Sequence, residues 1–287
     1  MNPTSDLLTH EPLRKLLANM QTLPSLPAVY RELMDVLHAD DASVEQAARI
    51  IAKDVGMVTK VLQVVNSPLY GLRGHVSNPT QAVALLGLNS LKSLALSTKV
   101  FAQFDQRKLP FFSLELLWQH GMTTGIHARA IAKTEAVEQA LAEDAFTAGL
   151  LHDVGTLVLA SNLPHQYRDM LAIMQDQGLS EWVAEREVFG ATHAEVGGYL
   201  LEQWSLSQTI VNAVAYHHEP SCCPAPYSLA LAAVHVANAS EEEAQALAMG
   251  EPVHSMDLEY LTGCDLADRL PLWQALCRGE SVSRAEC

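Results

Sequence analysis

Helical periodicity runs through most of this sequence and limits the fold classes open to it. Ser43 is followed three residues later by Gln46 in the segment SVEQAARIIAKDVGMVTKVLQVVNSPLYG, which is the spacing of a capping box at a helix start. Ala47, Ile50, Ile51 and Val55 then fall on one helical face. Few stretches alternate apolar and polar residues as a half-buried strand does. The sequence therefore predicts an all-α protein.

A charge cluster followed by Pro110, in the stretch QRKLPFF, marks a boundary between two groups of helices. We expect residues 1–110 to form an N-terminal helical lobe and residues 111–245 to form a second helical lobe. Residues 246–287 are mixed in composition and are predicted to form a C-terminal helical tail. The chain has 287 residues, 49% of them hydrophobic, which is enough apolar material for a real core in one or two domains.

The charge balance limits the partners of this protein. The 33 acidic and 18 basic residues give a formal net charge of -15, and no block rich in Lys or Arg interrupts the acidic excess. Nucleic acids and anionic membranes require a basic surface, so neither is an expected partner. The N-terminus lacks the features of a signal peptide, and no apolar run reaches membrane-spanning length. We therefore expect a cytoplasmic protein.

An adjacent imidazole and carboxylate, His152 and Asp153, stand inside the otherwise apolar stretch AGLLHDVGTLVLA. Apolar residues surround the pair on all sides of the helical wheel, which predicts a buried helix. Burial of either group without a partner costs free energy, so other helices must supply partners. Suitable residues on other predicted helices are His120, His193, His217 and His218.

Two interpretations of this cluster stay open. In the first, a divalent metal fills the cavity between the helices, because imidazole nitrogens together with a carboxylate oxygen suit Fe, Mn, Zn, Co or Ni. In the second, the histidines form a metal-free hydrogen-bonded network in the core. In either case Gly197 and Gly198, one turn after His193, would let another backbone come close.

Other polar residues are interpreted without a role at this site. His127 and His235 fit no ligand position and are predicted to be structural. The acidic run SEEEA at residues 240–244 is interpreted as the start of a helix, where the helix dipole favours acidic side chains.

The order of the histidines and the His-Asp pair resembles that of the HD-domain metal-dependent phosphohydrolases, especially the subgroup that hydrolyses cyclic dinucleotides. The chain is more similar still to the HDOD domain, the HD-related output domain of bacterial signalling proteins. The stretches LPSLPAVYRELMDVL, AARIIAKDVGMVTKVLQVVNSPLYG and VSNPTQAVALLGLNSLKSLAL resemble the N-terminal signature of that family, and the similarity runs from about Leu16 to Ala244. The resemblance implies two helical lobes, the second like an HD domain, and a role in signalling.

The resemblance also implies a metal site. His120 corresponds to the first histidine of the family motif, His152 and Asp153 to the HD pair, His193 to the next histidine, and His217 and His218 to the adjacent pair. Asn238 takes the place of the aspartate that closes the site in active relatives. The implied cofactor is one or two divalent ions of Fe, Mn, Zn, Ni or Co.

Three departures from the hydrolases bear on function. Asn238 is neutral and is a much poorer metal ligand than aspartate. Thr156 stands where the cyclic dinucleotide hydrolases have a lysine that can hold phosphate. The stretch HHEPSCCPAPYS contains no Gly-Tyr-Pro after the histidine pair, so the signature loop of that subgroup is missing. These changes weigh against catalysis.

The favoured interpretation is a cytoplasmic signal-transduction module that acts through a partner signalling protein or a nucleotide signal and keeps a degenerate metal site. The alternative is a metal-dependent phosphohydrolase that acts on a nucleotide or cyclic dinucleotide phosphodiester. Metal analysis of the purified protein, followed by a screen of phosphodiester substrates, separates these two functions.

Overall fold

The computed structural model describes residues 10–20, 23–37, 43–70, 72, 74–135, 138–225, 227–249 and 256–280. Helices and their connections account for all regular structure in these residues, which contain no β-strand. The prediction of an all-α fold is confirmed. Contacts between Cα atoms divide the chain into two compact units, a smaller one of Pro24–Asp105 and a larger one of Met1–Leu23 together with Gln106–Cys287.

The smaller unit consists of short helices with well-formed N-terminal caps. After α1 (Glu11–Ala18) of the larger unit, its helices are α2 (Ala28–Leu37), α3 (Val44–Ile51), α4 (Val55–Val65), α5 (Pro79–Leu86) and α6 (Leu88–Phe101). The predicted capping box is confirmed, because the Gln46 backbone N–H donates to Ser43 Oγ at 3.2 Å and the Ser43 N–H donates to Gln46 Oε1 at 3.0 Å. Asp54 caps α4 by accepting from the Met57 N–H, and it also pairs with Lys99 of α6. The prediction that Val55 shares the face of Ala47, Ile50 and Ile51 is wrong, because α3 ends at Ile51 and Val55 begins a new helix, where it is 81% exposed.

Asn66, in the stretch NSPLYG, joins the end of α4 to the returning chain. Its Nδ2 donates to the Leu62 carbonyl at 2.9 Å and to the Val76 carbonyl at 2.7 Å. Its Oδ1 accepts from the Val76 backbone N–H at 2.7 Å. The side chain therefore satisfies backbone groups on both sides of the connection, which is a structural role for this asparagine.

The larger unit is a helical bundle around α7, α8 and α14, which pack against one another. Its further helices are α7 (Leu114–Thr134), α8 (Gln139–Leu151), α9 (Val154–Asn162), α10 (Pro164–Gln177), α11 (Glu181–Phe189), α12 (His193–Gln203), α13 (Gln208–Ala215), α14 (Leu229–Met249), α15 (Leu258–Gly263) and α16 (Leu270–Cys277). Ile131, Phe146 and Leu231 are among the fully buried side chains of its core. None of the helices in the described residues combines the length and the apolar character needed to cross a membrane.

Glycines permit the closest helix contacts in the larger unit. A Cβ atom added to Gly149 of α8 would lie 2.6 Å from the Cα atom of Gly125 in α7. A Cβ atom added to Gly155 of α9 would lie 1.9 Å from the carbonyl oxygen of His193 in α12 and 2.8 Å from the Gly197 nitrogen. Gly197 thus lies at a close backbone approach, as expected from the sequence. These contacts bring α9 and α12, and with them the residues of the candidate site, together.

Both ends of the described chain belong to the larger unit. Helix α1 packs against α12, and α16 packs against α7 and α14. Glu135 Oε1, just after α7, accepts hydrogen bonds from Arg269 Nε and from Trp273 Nε1, each at 2.9 Å. This grouping differs from the predicted boundary at residue 110 and from the predicted separate tail beginning at residue 246. The difference arises because amphipathic α1 and the buried Trp273 find their contacts in the bundle.

Candidate metal centre

The residues that the sequence pattern singled out come from separate elements of the larger unit. His120 lies in α7, His152 and Asp153 lie between α8 and α9, His193 begins α12, His217 and His218 follow α13, and Asn238 lies in α14. The fold brings all of them together, because a side-chain polar atom of each lies within 3.8 Å of one from another member of the set.

The carboxylate of Asp153 occupies the middle of this set. Its Oδ2 lies 3.2 Å from His152 Nε2 and 3.6 Å from His120 Nε2. Its Oδ1 lies 3.4 Å from His193 Nε2 and 3.8 Å from His217 Nε2. Each oxygen therefore faces a different pair of imidazoles, and Asp153 connects the two halves of the cluster.

A break in the helix lets His152 and Asp153 face the same cavity. The sequence predicts one continuous buried helix through this stretch, but α8 ends at Leu151 and α9 begins at Val154. Asp153 has φ -95° and ψ 10°, outside the helical range, and caps the start of α9. Neighbouring side chains on a regular helix diverge by about 100°, so the break removes the geometric conflict.

Backbone carbonyls fix the orientation of two imidazole rings. His152 Nδ1 donates to the Gly149 carbonyl at 2.8 Å, and His217 Nδ1 donates to the Val214 carbonyl at 2.8 Å. A carbonyl can only accept, so the proton of each neutral ring is on Nδ1 and the Nε2 lone pair faces the cluster. This is the ring state that binds a metal through Nε2.

Glu185 of α11 orients a third ring, that of His193. The fully buried carboxylate accepts from the His193 backbone N–H at 2.8 Å and from His193 Nδ1 at 2.7 Å. A carboxylate behind a metal-binding imidazole holds the ring and increases its basicity. Burial opposes protonation of His193, but Glu185 and Asp153 together outweigh it and raise the pKa of the ring well above its ordinary value. Sequence reasoning missed Glu185, because no spacing rule connects it with a histidine across a helix boundary.

Several ring nitrogens of the cluster converge on one another. His217 Nε2 is buried and has no hydrogen-bond partner among the described residues. His120 Nε2 and His152 Nε2 lie 3.2 Å apart, and His193 Nε2 and His218 Nε2 lie 3.1 Å apart. Two lone pairs at such distances repel each other unless a proton or a metal ion lies between them. The arrangement therefore fits a bound cation.

Two groups of donors within this cluster have the composition of divalent metal sites. The groups are His120, His152 and Asp153, and His193, His217 and His218, and the candidate ligand atoms within each group lie within 4.8 Å of one another. Three protein ligands leave further coordination positions open. Imidazole with carboxylate suits Fe, Mn, Zn, Ni or Co rather than Mg or Ca, which prefer oxygen ligands alone.

Burial and neighbouring charges set the protonation of the cluster. Burial opposes ionisation of Asp153, but the His152 imidazole outweighs it and holds the pKa of the Asp153 carboxyl well below its usual range. Burial lowers the pKa of His217 and of His218 well below the ordinary value, and neighbouring histidines lower it further. The Asp153 carboxylate and the neutral rings of His217 and His218 are in the states that metal binding requires, whereas the pKa values of His152 and His193 are raised, so metal binding competes with protonation of these two rings.

Asn238 contacts the cluster through its amide oxygen. Its Oδ1 lies 2.9 Å from His120 Nε2, and its Nδ2 donates to Glu242 Oε1 at 2.9 Å. Burial raises the pKa of the Glu242 carboxyl. Sequence reasoning missed Glu242 and took the SEEEA run for a helix start, whereas the run lies in the middle of α14. The signal available in the sequence was the four-residue spacing from Asn238, which places both side chains on one helical face.

A cavity of about 780 Å³, here called the acidic cleft, adjoins the cluster. Its lining includes the ionisable residues His120, Asp153, Glu181, His193, His218, Glu241 and Glu242 and the apolar residues Phe112, Leu116, Leu117 and Trp182. None of the described residues that line it is Lys or Arg. Leu116 is 65% exposed, so an apolar side chain is accessible at this cavity.

The outer carboxylates of the acidic cleft accept hydrogen bonds from neutral groups. Glu181 accepts from the Tyr167 hydroxyl at 3.0 Å, and Glu241 accepts from Gln245 Nε2 at 3.2 Å. Burial, reinforced by Glu185, raises the pKa of Glu181 to about 7. Within the described part of the chain, no Lys or Arg compensates the charge of these groups.

His127 and His235, which the sequence predicts to be structural, lie outside the donor groups found among the described residues. His235 Nδ1 donates to the His217 carbonyl at 2.7 Å, and His235 Nε2 accepts from the Asp257 backbone N–H at 2.9 Å. His235 thereby holds the backbone of a candidate ligand in place. His127 is buried in α7, and burial lowers the pKa of its ring.

Comparison with known sequences gives one family and one curated relative. The family model described as the HDOD domain matches residues 23–220, which is more than half of the chain. An uncharacterised protein of Treponema pallidum (strain Nichols) is 27% identical over 219 residues, which are 75% of this chain and 41% of that protein. The chain therefore matches less than half the length of this relative.

Solved structures share the fold over nearly the whole chain. An HDOD domain protein of unknown function from Geobacter sulfurreducens has a TM-score of 0.72 and 23% identity, and the match covers 98% of this chain and 92% of that one. A protein of Shewanella amazonensis SB2B, provisionally described as a phosphohydrolase, has a TM-score of 0.66 and 24% identity over 93% of this chain and 96% of that one. At these identities the similarity establishes the fold alone. The family match and the shared fold together place this chain in the HDOD domain family.

Proposed function

We propose that this protein is a signal-transduction module that carries a divalent metal centre and binds a positively charged segment of a partner protein in the acidic cleft. The observation that carries the proposal is the charge of the acidic cleft, which has several carboxylates and no Lys or Arg among its described lining residues. A cleft of one charge sign attracts ligands of the opposite sign and repels those of the same sign.

The same charge pattern disfavours a phosphodiester ligand. Proteins recognise phosphate mainly through Arg, Lys and backbone N–H groups. In the acidic cleft a phosphate would face Glu181, Glu241 and Glu242, and none of the described lining residues is a Lys or Arg that could bind it. Thr156, which replaces the lysine of the cyclic dinucleotide hydrolases, is buried and supplies no charge.

Apolar side chains give the acidic cleft a second kind of contact. Phe112, Leu117 and Trp182 line it, together with the exposed Leu116. A segment with Lys or Arg beside apolar residues, such as an amphipathic basic helix, would match both features.

The metal centre is the second part of the proposal. His120, His152 and Asp153 would hold one ion, and the close approach of the His120 and His152 Nε2 atoms, 3.2 Å apart, supports this assignment. His193, His217 and His218 would hold a second. A bound divalent ion would supply Lewis acidity and would fix the helices that carry its ligands.

A second candidate function is that of a metal-dependent phosphohydrolase acting on a nucleotide or cyclic dinucleotide. The observation that favours it is Asp153, whose two oxygens face two separate pairs of imidazoles. Two ions held by a shared carboxylate suit phosphodiester hydrolysis. The provisional description of the Shewanella amazonensis protein agrees with this alternative.

One binding experiment separates these functions. The probes are a helical peptide with leucines on one face and lysines on the other, the same peptide with Glu in place of Lys, and a cyclic dinucleotide. We expect only the Lys peptide to bind, with an affinity that falls as salt rises. The double variant Glu181→Gln, Glu241→Gln should weaken its binding about tenfold, whereas Glu187→Gln, on the exposed side of α11, should not. Equal binding of the Lys peptide to both variants, or hydrolysis of the dinucleotide, would contradict the proposal.

A further inference from the structure

We infer that Asn238 and Glu242 act together in place of the aspartate that closes the metal site in HD-domain hydrolases. Asn238 presents a ligand oxygen, and Glu242, one helical turn further along α14, supplies the negative charge and fixes the amide. Glu242 is thus a positioning residue of the metal centre. The inference rests on the proposed function, because it requires that a metal binds at the cluster.

The hydrogen bonds determine which way the amide of Asn238 points. Its Nδ2 donates to Glu242 Oε1 at 2.9 Å, and a carboxylate can only accept. The amide oxygen must therefore be the atom that faces His120 Nε2, at 2.9 Å. Asn238 is 2% exposed, so water does not compete for this orientation. Without Glu242 nothing among the described contacts would prevent the amide from turning its NH₂ group toward the ring.

The carboxylate also changes the chemistry of the amide oxygen. An N–H group that donates to a carboxylate forms a charge-assisted hydrogen bond, which polarises the amide and places more negative charge on its oxygen. The Asn238 oxygen is therefore a better metal ligand than the oxygen of an isolated amide. Groups behind the ligands commonly tune metal affinity in this way.

The position of Glu242 is hard to explain by fold stability alone. The side chain is half-buried and lines both the acidic cleft and a second, smaller cavity whose lining includes His217 and Asn238. Its hydrogen bond comes from the neutral Asn238, and no Lys or Arg among the described lining residues of the acidic cleft pairs with this partly desolvated group. Such a charge costs free energy unless something compensates it. A divalent ion at the cluster provides that compensation.

The test exchanges the two groups between their positions. Metal affinity is measured by calorimetry with Mn and Zn, and stoichiometry by elemental analysis, for wild type, Glu242→Gln, and the double variant Asn238→Asp, Glu242→Gln. We expect Glu242→Gln to lower the affinity about tenfold to a hundredfold. The double variant recreates an amide and carboxylate pair with the charge moved to residue 238, so we expect it to restore affinity at least to the wild-type level.

A matched control comes from the next residue of the same helix. Glu243→Gln makes the same chemical change in a half-buried side chain that is not among the lining residues of the acidic cleft. We expect its metal affinity to stay within about twofold of wild type. Circular dichroism on each variant verifies folding, and if Glu242→Gln does not fold, the double variant is compared with wild type directly.

The outcomes distinguish this inference from the proposed function. A wild-type protein that binds neither metal overturns both. A wild type that binds metal while Glu242→Gln and Glu243→Gln behave alike overturns the role of Glu242 and leaves the metal centre intact. Loss of affinity in Glu242→Gln that the double variant does not restore also overturns the inference, because it indicates a purely structural effect.

Discussion

Replacement of Gly155 by alanine tests the packing that holds the metal centre together. The added Cβ atom would lie 1.9 Å from the His193 carbonyl oxygen and 2.8 Å from the Gly197 nitrogen. Ordinary contacts between carbon and carbonyl oxygen are about 3.3 Å, so α9 and α12 would have to separate by about 1.4 Å. Both obstacles are backbone atoms, which cannot move aside as a flexible side chain can.

The expected loss of stability combines two opposing terms. Overpacking of this kind costs about 3 kcal/mol, at the upper end of the usual range because no side chain can yield. Alanine gains up to about 1 kcal/mol over glycine from helix propensity. We therefore expect Gly155→Ala to lower the free energy of unfolding by about 2 kcal/mol. The same separation would draw His193 away from Asp153 and lower metal affinity.

Tryptophan fluorescence during urea unfolding is a suitable assay, because it reports on the larger unit alone. The tryptophans of the chain are Trp118, Trp182, Trp204 and Trp273, and all four lie in that unit. Gly263→Ala is the matched control, since nothing lies within 4 Å of its added Cβ atom. A loss below about 0.5 kcal/mol for Gly155→Ala, or equal effects of the two substitutions, would refute the packing argument.

Three further perturbations have defined outcomes. A chelator should lower the melting temperature of wild type, because a bound metal stabilises the folded state, and it should lower that of His152→Ala by less, because this variant lacks a ligand of one of the two ions. An unchanged wild type would favour a metal-free network. The Lys99 ammonium holds the pKa of Asp54 below 3.8. We therefore expect Asp54→Ala to lower the free energy of unfolding by about 1–2 kcal/mol at neutral pH, measured by circular dichroism. The difference in stability between wild type and this variant should narrow below pH 3.8 as the wild-type carboxyl protonates. Asp54→Asn keeps a side-chain oxygen that can cap α4, so we expect it to lower the free energy of unfolding less than Asp54→Ala does. Glu135→Ala should cost about 1–3 kcal/mol by leaving the buried Trp273 N–H unpaired, and a neutral result in urea unfolding would contradict this.

Local features of this fold could be predicted from sequence because they depend on near neighbours. Ser43 and Gln46 lie three residues apart, and the structure places their capping box as the spacing indicates. The break at His152 could not be predicted, because apolar periodicity continues on both sides and no proline interrupts it. The close contacts at Gly155, just after the break, come from α12, about forty residues further along the chain.

Only some residues of the candidate site could likewise be predicted from the sequence. The histidines and Asp153 could be identified by their order along the chain, which a family pattern preserves. Glu185 and Glu242 could not, because their roles depend on which atom of a ligand side chain faces away from the cluster. The prediction that the SEEEA run starts a helix was wrong, because the run lies in the middle of α14. Ser228, whose hydroxyl accepts from the Leu231 N–H, is the polar residue at the actual start of α14.

The hydrogen bonds of His235 have a consequence for the choice of fragment in protein production. The family match ends at residue 220, but the ring of His235 links the His217 carbonyl to the backbone of Asp257, far beyond that point. A fragment truncated at residue 220 would lack this link and the whole of α14, which lines the cleft. The autonomous folding unit is therefore longer than the homology boundary, and a truncated chain would expose apolar surface and be prone to aggregate.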